Sequence, residues 1–125
     1  MDIQEFIKQL NKVQDLMKNE QYEEAAVLLE ELKEIEKSED FGYNLTHRLY
    51  QLDSNLRSLY NQQLLLKHII TISKKQKSIT FSELNAILKK DKIIDIDDSI
   101  LGREIELLIL RGHLSSKIEG SKIIF

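Results

Sequence analysis

Ile79-Thr80-Phe81-Ser82-Glu83-Leu84 decides how the last third of this chain is read. A short extended stretch over residues 78–80 gives way to Thr80-x-x-Glu83, the spacing of a capping box, in which each side chain satisfies the other residue's free backbone amide. Leu84, Ile87 and Leu88 then keep helical spacing, and Lys89 and Lys90 close the segment with the charge that suits a helix C-terminus. Residues 91–97 read as an irregular connection. Asp97 or Asp98 caps a further helix running to about Arg111, with Ile100, Leu101, Ile105, Leu108 and Ile109 as its expected buried face, and Gly112 stops it. Two strands follow, His113 to Ile118 and Lys122 to Phe125, around the hairpin loop Glu119-Gly120-Ser121. The resulting order is strand, helix, helix, strand, strand, which is that of a winged helix.

Toward the N-terminus the apolar period becomes purely helical. Ile3, Phe6, Ile7, Leu10, Val13 and Met17 form one stripe, and Asn19-Glu20 breaks it. Tyr22, Ala25, Ala26, Leu29, Leu32 and Ile35 form a second stripe, and a loop is expected from Ser38 to Tyr43 with Gly42 inside. Leu45, Leu49, Leu52, Leu56, Leu59, Leu66 and Ile70, with Gln63 filling the gap, then repeat at alternating spacings of four and three. That heptad seam suits a coiled coil with a second copy, hence a homodimer. It equally suits packing on the two preceding helices, and Tyr60, Leu64, Leu65 and Ile69 widen the stripe in the manner of a bundle. The expected fold class is therefore mainly α, with a small β component. Residues 1–73 form a three-helix bundle (helices at about 2–18, 22–37 and 45–73), and residues 74–125 form a winged-helix domain with a small antiparallel sheet.

Three stretches of the C-terminal part, Ile79 to Leu84, Glu104 to Leu114 and Lys117-Ile118-Glu119-Gly120, resemble the winged-helix portion of the PCI family. These are scaffold subunits of the proteasome lid, the signalosome and the translation-initiation scaffold. The resemblance implies a short, divergent member in which residues 45–73 are the long helix joining helical hairpins to the winged helix. It also implies a non-catalytic role as a subunit or adaptor of a larger complex, with protein partners.

Charge is distributed unevenly along the 125 residues, whose formal net charge is −3. Residues 1–44 carry twelve acids and five lysines, whereas residues 45–78 carry six bases and one acid. Either these segments pack side by side and complement each other, or the basic stretch faces nucleic acid or an acidic partner. Lys74, Lys75 and Lys77, with Lys89, Lys90 and Lys92, are the candidate basic patch. Groove reading fits poorly, because residues 97–112 hold four acids against Arg103 and Arg111, and Asp97-Asp98 would face the phosphates. The second reading is nonetheless a nucleic-acid-binding regulator that dimerises through the 45–70 seam. Candidate apolar contacts with a protein partner are Leu110, Leu114, Ile124 and Phe125, most of them expected to face the core, and the winged-helix sheet is expected to present an edge near Phe125 for a partner strand.

Other function classes find no residues to carry them. There is no cysteine, so no disulfide or thiolate chemistry, which points to an intracellular, cytoplasmic setting with the nucleus left open. No apolar run approaches the length of a membrane span, and no membrane contact is expected. His47, His68 and His113 lack any metal-ligand spacing, and Asp95, Asp97 and Asp98 lack the glycine and terminal glutamate of a calcium loop. No metal, no cofactor, no catalytic residue and no enzymatic activity are expected.

Overall fold

The computed structural model describes all 125 residues, arranged as five helices and one three-stranded sheet. Packing divides the chain into two units, Met1–Tyr60 and Asn61–Phe125. The expected boundary at 73/74 follows the end of a helix, but the boundary in packing lies within that helix, because Leu65 and Ile69 bury themselves in the second core.

The first unit comprises α1 (Ile3–Lys18), α2 (Tyr22–Ser38) and the first part of α3 (Tyr43–Ser73). Asp2 starts α1 by accepting a hydrogen bond from the Glu5 amide at 2.8 Å. The helix ends with Glu20 in the left-handed region (φ 60°), its amide bonded to Met17 O and the Gln21 amide to Leu16 O. That pair of bonds is the Schellman closure, which satisfies two carbonyls a helix end would leave bare. Phe6, Leu10 and Val13 meet Ala25, Leu29 and Leu32, and Leu49, Leu52 and Leu56 complete the core. Phe6 also stacks on Phe41 with ring centroids 4.2 Å apart. Ile3, at the very start of α1, remains exposed despite lying on the apolar stripe.

The second unit holds the rest of α3, β1 (Ser78–Thr80), α4 (Phe81–Lys90), α5 (Asp98–Leu110), β2 (Lys117–Glu119) and β3 (Lys122–Ile124). All pairings are antiparallel in the order β1-β3-β2, with Ile79 opposite Ile123 and Ile123 opposite Ile118. The terminal strand is therefore the middle one, and the sheet's edges belong to β1 and β2, whose Ser78 and Lys117 lie opposite Ile124. β2 also starts later than expected. The amides of His113 and Leu114 are still bonded to Leu108 O, so this segment closes α5 and cannot yet pair in a sheet.

Thr80 caps α4 through its hydroxyl, which accepts from the Glu83 amide at 3.1 Å. The Glu83 carboxylate accepts a hydrogen bond from that hydroxyl at 2.9 Å, in place of the reciprocal backbone bond of a full capping box. Leu65, Ile69, Ile79, Leu84, Leu88, Leu101, Ile105, Leu108 and Ile123 form the core of this unit. Of the expected α5 face, Ile100 and Ile109 are only half-buried.

The heptad seam of α3 is not one continuous buried edge. Leu49, Leu52 and Leu56 lie in the first core, with Leu45 packed beside them. Beyond Tyr60 the buried positions become Gln62, Leu65 and Ile69, while Leu59 and Leu66 are half-buried, Gln63 is exposed and Ile70 is 46% exposed. Heptad drift of about 20° per repeat is too small to cause this change; the buried positions switch because the later part of α3 packs into the second unit's own core. Since Leu49, Leu52 and Leu56 are already covered by their own chain, they present no free seam to a second copy.

Candidate functional site

Helix α5 is where a helix-turn-helix would meet a partner, and its two faces differ sharply. Leu101, Ile105 and Leu108 point into the core, and among them lies Glu104, only 1% exposed. Its Oε2 accepts a 2.8 Å hydrogen bond from Nε2 of Gln62, which is itself 4% exposed. The Oε1 of Gln62 in turn accepts from Arg111 Nη1 at 2.9 Å, and Arg103 Nη2 lies 3.5 Å from the other Glu104 oxygen. Arg103 and the C-capping Arg111 thus each reach one member of this pair, although both side chains are exposed. The outward face carries Ser99, Arg103, Glu106 and Leu110, the last 79% exposed.

The start of α5 is occupied by carboxylates with structural duties. Asp97 accepts from the Ile100 amide at 2.9 Å and from the Ser99 hydroxyl at 2.7 Å. These bonds, the backbone one foremost, hold its pKa below the ordinary aspartate value. Asp98 accepts from Asn85 Nδ2 at 2.6 Å and from Ser82 Oγ at 3.1 Å, tying the two helices together at their corner. Asn85 also donates to Ile96 O, and its own Oδ1 is buried without a hydrogen-bond partner. Gly102 lies over the Phe81 ring, where an added Cβ would sit 3.6 Å from the nearest ring carbon.

The expected apolar contacts do not form one surface. Leu110 is exposed, but Leu114 belongs to the core, and Ile124 and Phe125 are half-buried within or beside the central strand. The Phe125 amide is held by Lys77 O at 3.0 Å. Lys74, Lys75, Lys77, Lys89, Lys90 and Lys92 are all exposed, and none forms an ion pair. Lys89 and Lys92 line an open groove of about 340 Å³ with Ile93, Ile94 and Asp95. Lys92 sits in the left-handed region (φ 55°), closing α4 by the same paired bonds that end α1.

Charge complementation between the acidic first helices and the basic middle segment takes another form than expected. Arg48 bonds the amide oxygens of Asn11 and Gln14, and the ion pair between α2 and α3 runs from Lys33 to Asp53 at 3.3 Å. The base lies on the acidic helix and the acid on the basic one. Arg57 holds the other Asp53 oxygen at 2.8 Å. Glu30 and Asp53 together raise the Lys33 pKa, Glu30 contributing first.

Sequence reasoning missed Glu104, Gln62 and Asn85. A signal for Glu104 existed, since it falls between Leu101, Ile105 and Leu108 on the helix's own apolar arc. No three His, Asp or Glu side chains gather to hold a metal ion; the His47 ring stacks on Tyr43, and His68 Nδ1 lies 2.8 Å from Leu64 O. No helix is long and apolar enough to cross a membrane. Compared with known proteins, the chain matches no family model, no curated protein and no solved structure.

Proposed function

We propose that this chain is a non-catalytic protein-interaction module whose second unit is a winged helix of the PCI type, serving as a subunit or adaptor of a larger intracellular complex. The strand order β1-β3-β2, with β2 and β3 as the wing behind α4 and α5, supports the winged-helix reading. The observation that carries the functional reading is the outward face of α5. A base-reading helix presents several cations to phosphate, and this one has only Arg103 and Arg111, both exposed but each sharing a polar contact with the buried Gln62–Glu104 pair. Asp97 and Asp98 occupy the end that would enter the groove, and Leu110 is left as an apolar contact for a protein surface.

Titration of the chain with labelled duplex DNA and RNA at low and moderate salt tests this. No binding that weakens with salt is expected, and co-purification from the native source should yield a stoichiometric protein partner. Duplex affinity that falls by about a thousandfold between 50 and 200 mM salt would overturn the reading. One observation favours a nucleic-acid-binding regulator instead, namely the six exposed, unpaired lysines from Lys74 to Lys92. Its dimer through residues 45–70 would have to form without Leu49, Leu52 and Leu56.

A further inference from the structure

Of the seven large apolar side chains that stand exposed, Ile3, Tyr43 and Tyr50 collect with Met1 at one end of the first unit. Met1 beside Glu39, and Phe6 stacked on Phe41, bring the start of α1 to the end of α2. Glu36, which accepts from Thr46 and Tyr50, brings the start of α3 to the same place. Tyr43, His47 and Tyr50 follow one another along one face of α3, apart from its core positions Leu49, Leu52 and Leu56. Tyr43 is 82% exposed, its ring nearly parallel to that of His47 at 6.0 Å. Two exposed tyrosines on one helix face are unusual where packing does not require them, whereas tyrosine is enriched at the centres of protein interfaces.

The surrounding charge selects the partner. Glu36 accepts from the Tyr50 hydroxyl, and Glu39 and Asp40 follow it at the end of α2, each with one carboxylate oxygen engaged (Glu39 by the N-terminal ammonium at 3.3 Å, Asp40 by the Gly42 amide at 2.9 Å) and the other free. The nearby bases are already engaged: Lys37 with Glu34 at 2.9 Å, and Arg48 with Asn11 and Gln14. We propose that this aromatic end docks a basic, arginine-containing segment of a partner protein. The guanidinium groups lie over the faces of Tyr43 and Tyr50 and pair with the carboxylates of Glu39 and Asp40. Cation–π attraction at a tyrosine face strengthens when the docked chain also shields it from water, and arginine is the cation that most often makes it. This assignment rests on the reading of the chain as an interaction module and gives that module a partner chemistry.

Fluorescence anisotropy of the full chain with a short labelled peptide alternating Arg and Ser, against one alternating Glu and Ser, tests it. Only the basic peptide should bind. Replacing both rings (Tyr43→Ala with Tyr50→Ala) should weaken binding about tenfold or more. Glu39→Gln with Asp40→Asn should weaken it and flatten its dependence on salt. Glu20→Gln with Glu24→Gln removes the same charge at the opposite end of α2 and should leave affinity unchanged. All these side chains are exposed, so unchanged melting curves will show that the fold survives. Equal binding by the tyrosine variant, equal binding of the acidic peptide, or no binding at all overturns the assignment. So does a mass that rises with concentration and falls back on Tyr43→Ala, since the face is then taken by a second copy. Failure here with duplex DNA and RNA still unbound removes this surface and leaves the module reading standing. Salt-sensitive duplex binding removes the module reading itself.

Discussion

Replacing Gln62 by leucine isolates the most consequential polar contact of the second unit. The side chain is 4% exposed and donates a 2.8 Å hydrogen bond to a carboxylate that is 1% exposed. Leucine keeps nearly the same volume, so the cavity contribution is small and the loss is electrostatic. A hydrogen bond to a charged group contributes roughly 1.5–3 kcal/mol, and the buried carboxylate left behind adds its own desolvation cost. The bond to Arg111 is lost too, but that side chain is exposed and water replaces the acceptor. The expected loss for Gln62→Leu is therefore about 2–3 kcal/mol, or a Tm lower by about 10 °C at this chain length.

Glu104→Leu alone removes the charged acceptor of the Gln62 Nε2 bond and should cost about 1–2 kcal/mol. The double variant removes donor and acceptor together, and apolar replacement of a buried polar pair is often neutral. Urea and thermal unfolding of all four proteins, followed by circular dichroism at neutral pH, measure the cycle. The double variant should be more stable than the sum of the single losses by about 2 kcal/mol. Additivity within about 0.5 kcal/mol would refute the claim that this pair couples α3 to α5.

Three further outcomes are expected. Glu20→Gly and Lys92→Gly each relieve a left-handed residue at a helix end and should raise stability by about 1 kcal/mol apiece, read as a higher urea midpoint. Gly102→Ala meets the Phe81 ring at ordinary contact distance and gains helix propensity, so it should stabilise by up to about 1 kcal/mol rather than disrupt the corner. Asp97→Ala removes the cap of α5 and should lower Tm by roughly 3 °C near neutral pH. Because the folded protein holds this carboxyl below its ordinary pKa, its stabilisation is present above that ordinary value. It is lost as pH falls through the lower folded one, so variant and wild type should converge in acid.

Local chemistry was legible wherever one residue type performs one local task. Asn19-Glu20, Thr80 and Asp97 mark helix boundaries because caps act over three or four residues, and the structure places α1, α4 and α5 within a residue or two of those marks. The position of β3 between β1 and β2 was not legible, since it depends on pairing across 44 residues, as between Ile79 and Ile123. The seam of α3 misled because a strict heptad in sequence belongs to a supercoil, whereas this helix serves two cores in succession. Glu104 was read as one more surface acid because charge suggests solvent; its place on the apolar arc was the better guide. The scattered aromatic residues of α3's first turns carried no message until the fold gathered them at one end.

On the proposed reading, the acids that set α5 against a phosphate surface are the same ones that build its corner. Asp97 cannot become a lysine without uncapping the helix, and Asp98 cannot without releasing both Asn85 and Ser82 of α4. Glu104 cannot become basic without burying a cation against Gln62. Ser99, Glu106 and Leu110 are exposed on the outward face and hold no such structural bond to α4 or the core, so on the proposed reading that face could vary its partner while the acids of the corner stay in place. Two substitutions separate the roles. Glu106→Lys should leave the melting curve in place and raise duplex binding only slightly, because a single cation adds a single phosphate contact. Asp98→Lys should lower Tm by several degrees through the lost α4 bonds, whatever it does to binding. If Asp98→Lys instead melts with the wild type, the corner does not depend on that carboxylate, and the link between fold and partner choice fails.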